Sequence, residues 1–300
     1  MKPDITAIIL TKDEDIHIAR SVESAMKVAR RVIVVDSGST DSTRDIACGA
    51  GAEVVEMPWP GNQAAQFNRV LDTLPIDSQW ILRLDADEWL SEGLINEINQ
   101  SSALNDPDVA AIRLPLGRYF LGKRLRFGIA NSIRIIRLFR KGHGRYAPRL
   151  MDEHLEISGG KIVDFKDRFF DDNRRPLSYF IAKHNVYALR EAANHLINHY
   201  GLTPSQIADD SSALGSAVQS KRRQKSLYYR LPPYWRAAAY FGYRYFLRLG
   251  FIDGRAGFLW DFMQGWWYRN LVDATISEIL SATDSRPEAI SQYLRDRNLL

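Results

Sequence analysis

The chain has 300 residues, 45% of them hydrophobic and 25% charged, the make-up of a soluble globular protein with one large domain or two small ones. Its single cysteine, Cys48, excludes an internal disulfide framework and fits a reducing compartment. The net charge of +4 is modest but unevenly spread, and no run of about 18 uninterrupted apolar residues marks a transmembrane helix.

Met1 to Leu10 lacks an apolar stretch long enough for a signal peptide, and Ile5 to Leu10 reads as a first strand. Ile16, Ala19, Val22 and Met26 recur at helical spacing. Arg31 to Val35 is a second strand, followed by a helix through Ala47 and a strand at Glu53 to Met57. Asn62 to Leu74 has a helical pattern, and Trp80 to Leu84 reads as a buried strand. Continuous β-branched runs alternating with helices predict a parallel sheet covered on both faces. Right-handed crossovers then put the loops after Leu10, Val35 and Leu84 on one edge. From Val109 to about Phe170 the pattern changes to short strands (Ala111 to Leu116, Ile133 to Phe139, Lys161 to Phe165) between basic, Gly-containing loops, which predicts a mixed-sheet extension. Pro176 to Tyr200 reads as a helix, and Thr203-Pro204 starts another.

Two loops carry candidate chemistry. Asp85-Ala86-Asp87 follows the Trp80 strand. Two carboxylates at i and i+2 where a strand ends are hard oxygen ligands of the kind Mg²⁺ or Mn²⁺ prefers, and such strand ends are where open α/β sheets bind ligands. The same tripeptide is equally the start of a helix, with Asp87 or Glu88 near its N-terminus. Asp36-Ser37-Gly38-Ser39-Thr40-Asp41 links a strand to a helix. A capped turn explains Ser39, Thr40 and Asp41 but leaves Asp36 with no local need to be acidic, whereas a carboxylate there suits a ribose hydroxyl or a base N–H. G-x-G-x-x-G and the P-loop pattern are both absent. Arg83, inside the strand, reads as reaching the same crevice or pairing with a nearby acid.

Ile8-Ile9-Leu10-Thr11-Lys12-Asp13-Glu14, Val34-Val35-Asp36-Ser37-Gly38-Ser39-Thr40-Asp41 and Leu84-Asp85-Ala86-Asp87-Glu88 together resemble the successive motifs of family 2 glycosyltransferases, in order and spacing. The resemblance departs at Asp13, where Asn is commoner, and at Ser37, where a second Asp often stands. Met151-Asp152-Glu153-His154-Leu155, the run from Lys183 through Ala192 and Leu249 to Gly254 are similar to bacterial members that build lipopolysaccharide core, capsule or exopolysaccharide.

The resemblance implies an inverting, nucleotide-sugar-dependent enzyme with the GT-A fold, a Rossmann-like, mostly parallel sheet. It implies that Thr11 and Asp36 contact the nucleoside with Glu14 nearby, that Asp85 binds ribose or metal, and that Asp87 ligates Mg²⁺ or Mn²⁺ on the diphosphate of a UDP-sugar. Gln66 and Asn68 either contact the nucleotide or cap and pack. Inversion needs a carboxylate that takes the acceptor hydroxyl proton, and Asp152-Glu153 resembles the acidic motif that supplies it. Adjacent residues in an extended segment point to opposite sides, so one of the two faces the site; Asp152 is favoured. His154 and His184 read as structural histidines or as extra metal ligands. Arg113, Arg118, Arg124 and Arg126 read as contacts to an acidic saccharide or diphosphate, or as a solvated face.

Lys221 to Arg269 holds ten Lys or Arg against Asp253 and Asp261, and it is dense in Tyr, Trp and Phe. Arg236, Tyr240, Arg244 and Arg248 fall on one helix stripe, which predicts a basic amphipathic helix on an anionic membrane surface. Packing on the protein itself, or on a second copy, is the alternative; single-stranded nucleic acid is the reading set aside.

The sequence is therefore read as a GT-A nucleotide-sugar-binding and catalytic domain at 1–172 and a helical, acceptor- or membrane-associated region at 173–300. The expected activity moves a sugar from a nucleotide-sugar to a lipid-linked or lipopolysaccharide-core saccharide, at the cytoplasmic face of the inner membrane and without nucleic acid. A sugar nucleotidyltransferase and a non-catalytic membrane scaffold are the alternatives, and the oligomeric state is open.

Overall fold

All seven residues of strand β1 (Ile5–Thr11) are buried, as a run of apolar residues covered on both faces requires. A computed structural model describes residues 2–147, 155–202, 228–297 and 299–300 of the chain. The chain divides into two compact units, Met1–Arg174 and Arg175–Leu300.

In the first unit, β1 pairs in parallel with β2 (Arg31–Asp36) on one side and β4 (Trp80–Asp85) on the other, and β3 (Glu53–Glu56) extends β2. Helices α1 (Ile18–Met26), α2 (Thr43–Gly49) and α3 (Gln63–Thr73) fill the connections. Side-chain alternation sorts the strands into two cores, one on each face of the sheet. Ile5, Ala7, Ile9, Val32 and Val34 join Val22 of α1 in one core, while Ile8, Leu10, Ile33 and Val35 join Phe67 of α3 in the other. Fully burying each such side chain contributes roughly 1.5–3 kcal/mol.

Beyond β4 the sheet becomes mixed. The remaining strands are β5 (Glu88–Leu90), β6 (Val109–Phe120), β7 (Lys123–Leu125), β8 (Arg134–Arg140), β9 (Gly144–Tyr146), β10 (Leu155–Ile157), β11 (Lys161–Asp164) and β12 (Phe169–Asp171). The main path runs β3-β2-β1-β4-β8-β6-β12-β5, with β8 antiparallel to both β4 and β6. A parallel Rossmann-like half with a mixed extension is the GT-A architecture. Strands β5, β7, β9, β10 and β12 have three residues each, too few for an alternation pattern to register. The helix-start reading of the acidic tripeptide is overturned. After Asp85 the chain turns at Ala86-Asp87 directly into β5, and helix α4 (Glu92–Gln100) begins only after Ser91, whose hydroxyl accepts the Leu94 N–H at 3.1 Å.

In the second unit, α5 (Leu177–Tyr200) ends at Gly201, whose φ of 65° is the left-handed conformation that closes helices. Its Ala188, Ala192 and Leu196 pack with Val272, Ile276 and Ile279 of the helix Tyr268–Ala282. The helix expected from Thr203-Pro204 lies outside the described residues. The basic stripe is corrected. Helix Trp235–Gly242 passes into a π-helical turn, Tyr243–Leu247, and two of the stripe's arginines are interior. Arg236 pairs with buried Asp273 at 3.0 Å, and Arg244 with buried Asp261 at 2.8 Å. Burial of a cation requires buried acids, and those sit on helices further along the chain. Among the described residues no helix is long and apolar enough to cross a membrane.

Candidate functional site

Thr11, Asp36 and Asp85 close three adjacent parallel strands. Thr11 is in register with Asp36, and Leu10 with Asp85, so the three strand ends lie side by side on one sheet edge. That is the edge where open α/β sheets take ligands.

The loops leaving β1 and β2 are stitched together. Asp13 has a φ of 52°, a conformation that Asn and Asp tolerate better than other side chains. Its N–H donates to Ser39 Oγ at 2.8 Å, and its Oδ1 accepts the Thr40 N–H at 2.7 Å. Asp meets both demands of the turn, as Asn would. Glu14 N–H donates to Thr43 Oγ1 at 2.7 Å, and Ser37 N–H to the Thr11 carbonyl at 3.0 Å.

Asp36 is fully buried, and its carboxylate is turned into its own loop. Oδ2 accepts the N–H groups of Gly38 at 3.0 Å and Ser39 at 2.8 Å, and Oδ1 accepts the Ser39 hydroxyl. The inference that the turn gives Asp36 no local need for acidity is thus corrected: three donors require a buried acceptor. Thr11 Oγ1 is the opposite case. It is buried and has no hydrogen-bond partner among the described residues. Glu14 holds His17: Oε2 accepts from Nδ1 at 2.5 Å, while Nε2 accepts the Arg174 N–H at 2.9 Å, which places the ring proton on Nδ1.

On α3, Asn62 is the cap, its Oδ1 accepting the Ala65 N–H at 2.7 Å. Gln66 is buried, with Nε2 donating to Ser37 Oγ at 2.5 Å. Of the two readings of Asn68, nucleotide contact or packing, its hydrogen bonds are those of packing. Its Nδ2 donates to the Tyr146 carbonyl at 2.8 Å and its Oδ1 accepts the Tyr146 N–H at 3.0 Å, so both ends of the amide clamp one backbone position.

The acidic turn rests on two buried arginines. Arg83 of β4 donates to Asp85 Oδ1 at 3.1 Å and to the Tyr146 hydroxyl. Arg137 of β8 donates to Asp85 Oδ2 at 3.0 Å and to Glu88 Oε1. Glu88 Oε2 accepts the Asp85 N–H at 3.1 Å. Burial pushes the Glu88 carboxyl up to about 8, against the pull of Arg137, and the neighbouring Asp85, Asp87 and Asp171 add to the rise. Burial also works against the charge of Arg137, but Glu88 and Asp85 outweigh it and hold the guanidinium well above its ordinary value. Asp87 lies at the turn, where its Oδ2 accepts from Asn173 Nδ2 at 3.1 Å and its carbonyl accepts the Asp172 N–H at 3.1 Å. Asp172 is bound by Arg20 at 2.5 Å and Arg174 at 3.0 Å. These cations outweigh burial and hold its carboxyl below the usual range.

Among the described residues, no three or more His, Cys, Asp or Glu side chains converge as a metal cage. Asp85 and Asp87 are nevertheless a hard-oxygen pair. They suit Mg²⁺ or Mn²⁺, which take one or two carboxylates and complete their shell with phosphate and water. Asp87 is the better-placed donor of the two, since both Asp85 oxygens already face arginines.

Glu88, Arg137, Asp172 and Asn173 escaped the sequence reading as site residues. The available signal was Arg83 and Arg137 within buried strands, since a buried cation demands an acid beside it. Asp152, Glu153 and His154 lie outside the described residues. In the second unit His184 has both ring nitrogens engaged, Nδ1 with the Phe180 carbonyl at 2.9 Å and Nε2 with Gln264 Nε2 at 2.7 Å. Arg113 pairs with Asp164 at 2.6 Å and Arg118 with Asp171 at 2.9 Å, while Arg124 stacks over Phe170.

The family model described as Glycosyl transferase family 2 matches residues 6–163. An "Uncharacterized glycosyltransferase" of Rickettsia bellii (strain RML369-C) is 33% identical over 212 residues, covering 68% of this chain and 70% of that protein. Another, of Rickettsia felis (strain URRWXCal2), is 30% identical over 261 residues, 83% of each. Among solved structures, the glucosyl-3-phosphoglycerate synthase of Mycobacterium tuberculosis with Mn²⁺, UDP and glucosyl-3-phosphoglycerate is 18% identical, with a TM-score of 0.29. That overlay covers 38% of this chain and 44% of the synthase, so the chain spans less than half of that structure's length. At that score the overlay carries no weight.

Proposed function

The chain belongs to glycosyltransferase family 2, and we propose that it moves a sugar from a UDP-sugar, with inversion, to a lipid-linked or lipopolysaccharide-core saccharide. The setting is bacterial cell-surface polysaccharide synthesis at the cytoplasmic face of the inner membrane. The observation that carries the reading is the alignment of Thr11, Asp36 and Asp85 on one sheet edge, with Asp87 in the turn that follows.

In this reading the Thr11 hydroxyl, which has no partner among the described residues, receives the nucleoside, and Asp36 keeps the β2 loop in the shape that borders it. Asp87, with Asp85, holds Mg²⁺ or Mn²⁺. When bound there, the cation would supply positive charge to offset that of the diphosphate. Arg83 and Arg137 fix the direction of Asp85 so that no side chain needs to reorganise on binding. Asp152 or Glu153 takes the proton from the acceptor hydroxyl on the face opposite the leaving diphosphate.

Calorimetric titration with UDP and UDP-sugars, with and without Mn²⁺, tests this on the full chain and on Asp87→Ala. Metal-dependent binding that the variant loses is the expected result. Failure of the wild-type protein to bind UDP, GDP, CMP or dTDP species would sink the transferase reading and favour a non-catalytic role.

A further inference from the structure

The second unit has an apolar core, but one segment of it buries ion pairs and exposes apolar side chains. Its interior holds the ion pairs Arg236–Asp273 and Arg244–Asp261, while a continuous stretch of large apolar side chains faces out. Between Phe246 and Ile252, the side chains of Phe246, Leu247, Leu249, Phe251 and Ile252 are all exposed, Leu247 at 75% and Phe246 at 60%. A contiguous apolar patch of this kind marks an interaction surface rather than scattered surface leucines.

The backbone beside these residues is closely packed. A Cβ on Gly250 would fall 1.9 Å from Asp261 Oδ2, and one on Gly257 would fall 2.1 Å from the Gly250 carbonyl. The two glycines therefore let the turn Gly250–Asp253 lie directly against the helix Gly254–Asp261. Leu249 is held at a φ of 61°, an uncommon conformation for a branched side chain, at the exit of the π-helical turn. Arg244 and Asp261 are tied at 2.8 Å within this packing.

The charge around the patch selects the partner. Arg248 and Arg255 are exposed, whereas Asp253 is half-buried and Asp261 buried. Tyr245 contacts Phe246, Phe251 and Phe258 with centroids 5.1–6.2 Å apart, which backs the exposed tip with aromatic rings. Apolar and aromatic residues bordered by arginine suit the headgroup boundary of an anionic bilayer. A symmetric pairing of two copies would instead bring one positive face against another.

We propose that the segment Tyr243–Arg255 is a bilayer-interface element. It inserts Phe246, Leu247, Leu249, Phe251 and Ile252 into the headgroup region of an anionic membrane, with Arg248 and Arg255 on the phosphates. The inference deepens the lipid-linked-acceptor part of the proposed function, but its test reads membrane binding alone.

The full chain is sedimented with vesicles of phosphatidylcholine alone and of phosphatidylcholine with phosphatidylglycerol. Wild-type protein is expected on the anionic vesicles. Phe246→Ser/Leu247→Ser weakens binding by at least about tenfold, because insertion scales with buried apolar area. Arg248→Glu/Arg255→Glu removes the preference for phosphatidylglycerol. UDP titration and circular dichroism of each variant confirm that the fold is kept, so a failed membrane test stands apart from a failed transferase reading. Absence of wild-type binding, or binding that both variants retain, overturns the proposal. So does a wild-type dimer, seen by light scattering, that ignores vesicles and becomes monomeric in the Phe246→Ser/Leu247→Ser protein.

Discussion

Arg137 and Glu88 form a buried ion pair that braces the turn carrying Asp85 and Asp87. The arginine comes from β8 and the acid from β5, so the pair joins two strands of the mixed extension that β6 and β12 separate on the sheet path. Arg137 also holds Asp85 Oδ2 at 3.0 Å, which couples the fold's stability to the direction of a candidate ligand.

Arg137→Ala therefore strands Glu88 beside Asp85 and Asp87 without its cation. Breaking a buried pair from one side costs about 3–5 kcal/mol, whereas replacing both members by apolar residues costs much less. In urea denaturation above about pH 8, where Glu88 is ionised, Arg137→Ala is expected to lose that amount, and Arg137→Met/Glu88→Leu to regain most of it. A single variant as stable as wild type would show that Glu88 is already neutral in the fold.

Thr11→Val separates stability from ligand contact. The Thr11 hydroxyl is buried with no partner among the described residues, so removing it should leave the unliganded protein as stable or slightly more stable. If the nucleoside supplies the missing partner, UDP affinity falls by roughly 2- to 10-fold, the worth of one neutral hydrogen bond. Thermal unfolding and calorimetry on the same samples read the two effects. Unchanged affinity would remove Thr11 from the binding surface.

The parallel half was legible in the sequence because each of its strands is a run of Val, Ile and Leu ending in a polar residue. Thr11, Asp36 and Asp85 fall at those ends, and register does the rest. The support of the site was less legible. Arg137 and Glu88 lie 49 positions apart and meet only through the order β4-β8-β6, with β5 at the far end of the path. The three-residue strands β12 and β5, which carry the path to Glu88, have no periodicity to read. The acidity of Asp36 was legible, but its cause was not, because the Gly38 and Ser39 N–H groups exist as donors only once the turn is made.

Asn68→Ala is expected to act on the fold alone. Both ends of the Asn68 amide bond the backbone of Tyr146, whose hydroxyl accepts from Arg83. Removing it leaves a buried N–H and carbonyl to find other partners, a loss of about 1–3 kcal/mol. UDP affinity, measured below the unfolding transition, should stay near wild type. A large loss of affinity without destabilisation would return Asn68 to the nucleotide surface.

The second unit should unfold in alkali before the first. Burial raises the Tyr228 phenol from its ordinary 10.0 to about 12, with Asp273 adding to the rise against Arg269 and Arg236. Burial also raises Tyr229 and Tyr268, both with help from Glu191. Below pH 10 these phenols are neutral whether the unit is folded or unfolded, so their contribution to stability is fully present. Between about pH 10 and 12 the unfolded chain ionises while the folded unit resists, and stability falls through that window. Helical circular dichroism followed against pH should show a loss in this range, accompanied by a late rise in tyrosinate absorbance. Tyr228→Phe removes one of the titrating groups and should move the loss to higher pH. A midpoint that does not move would mean that the Tyr228 phenol does not set the alkaline limit.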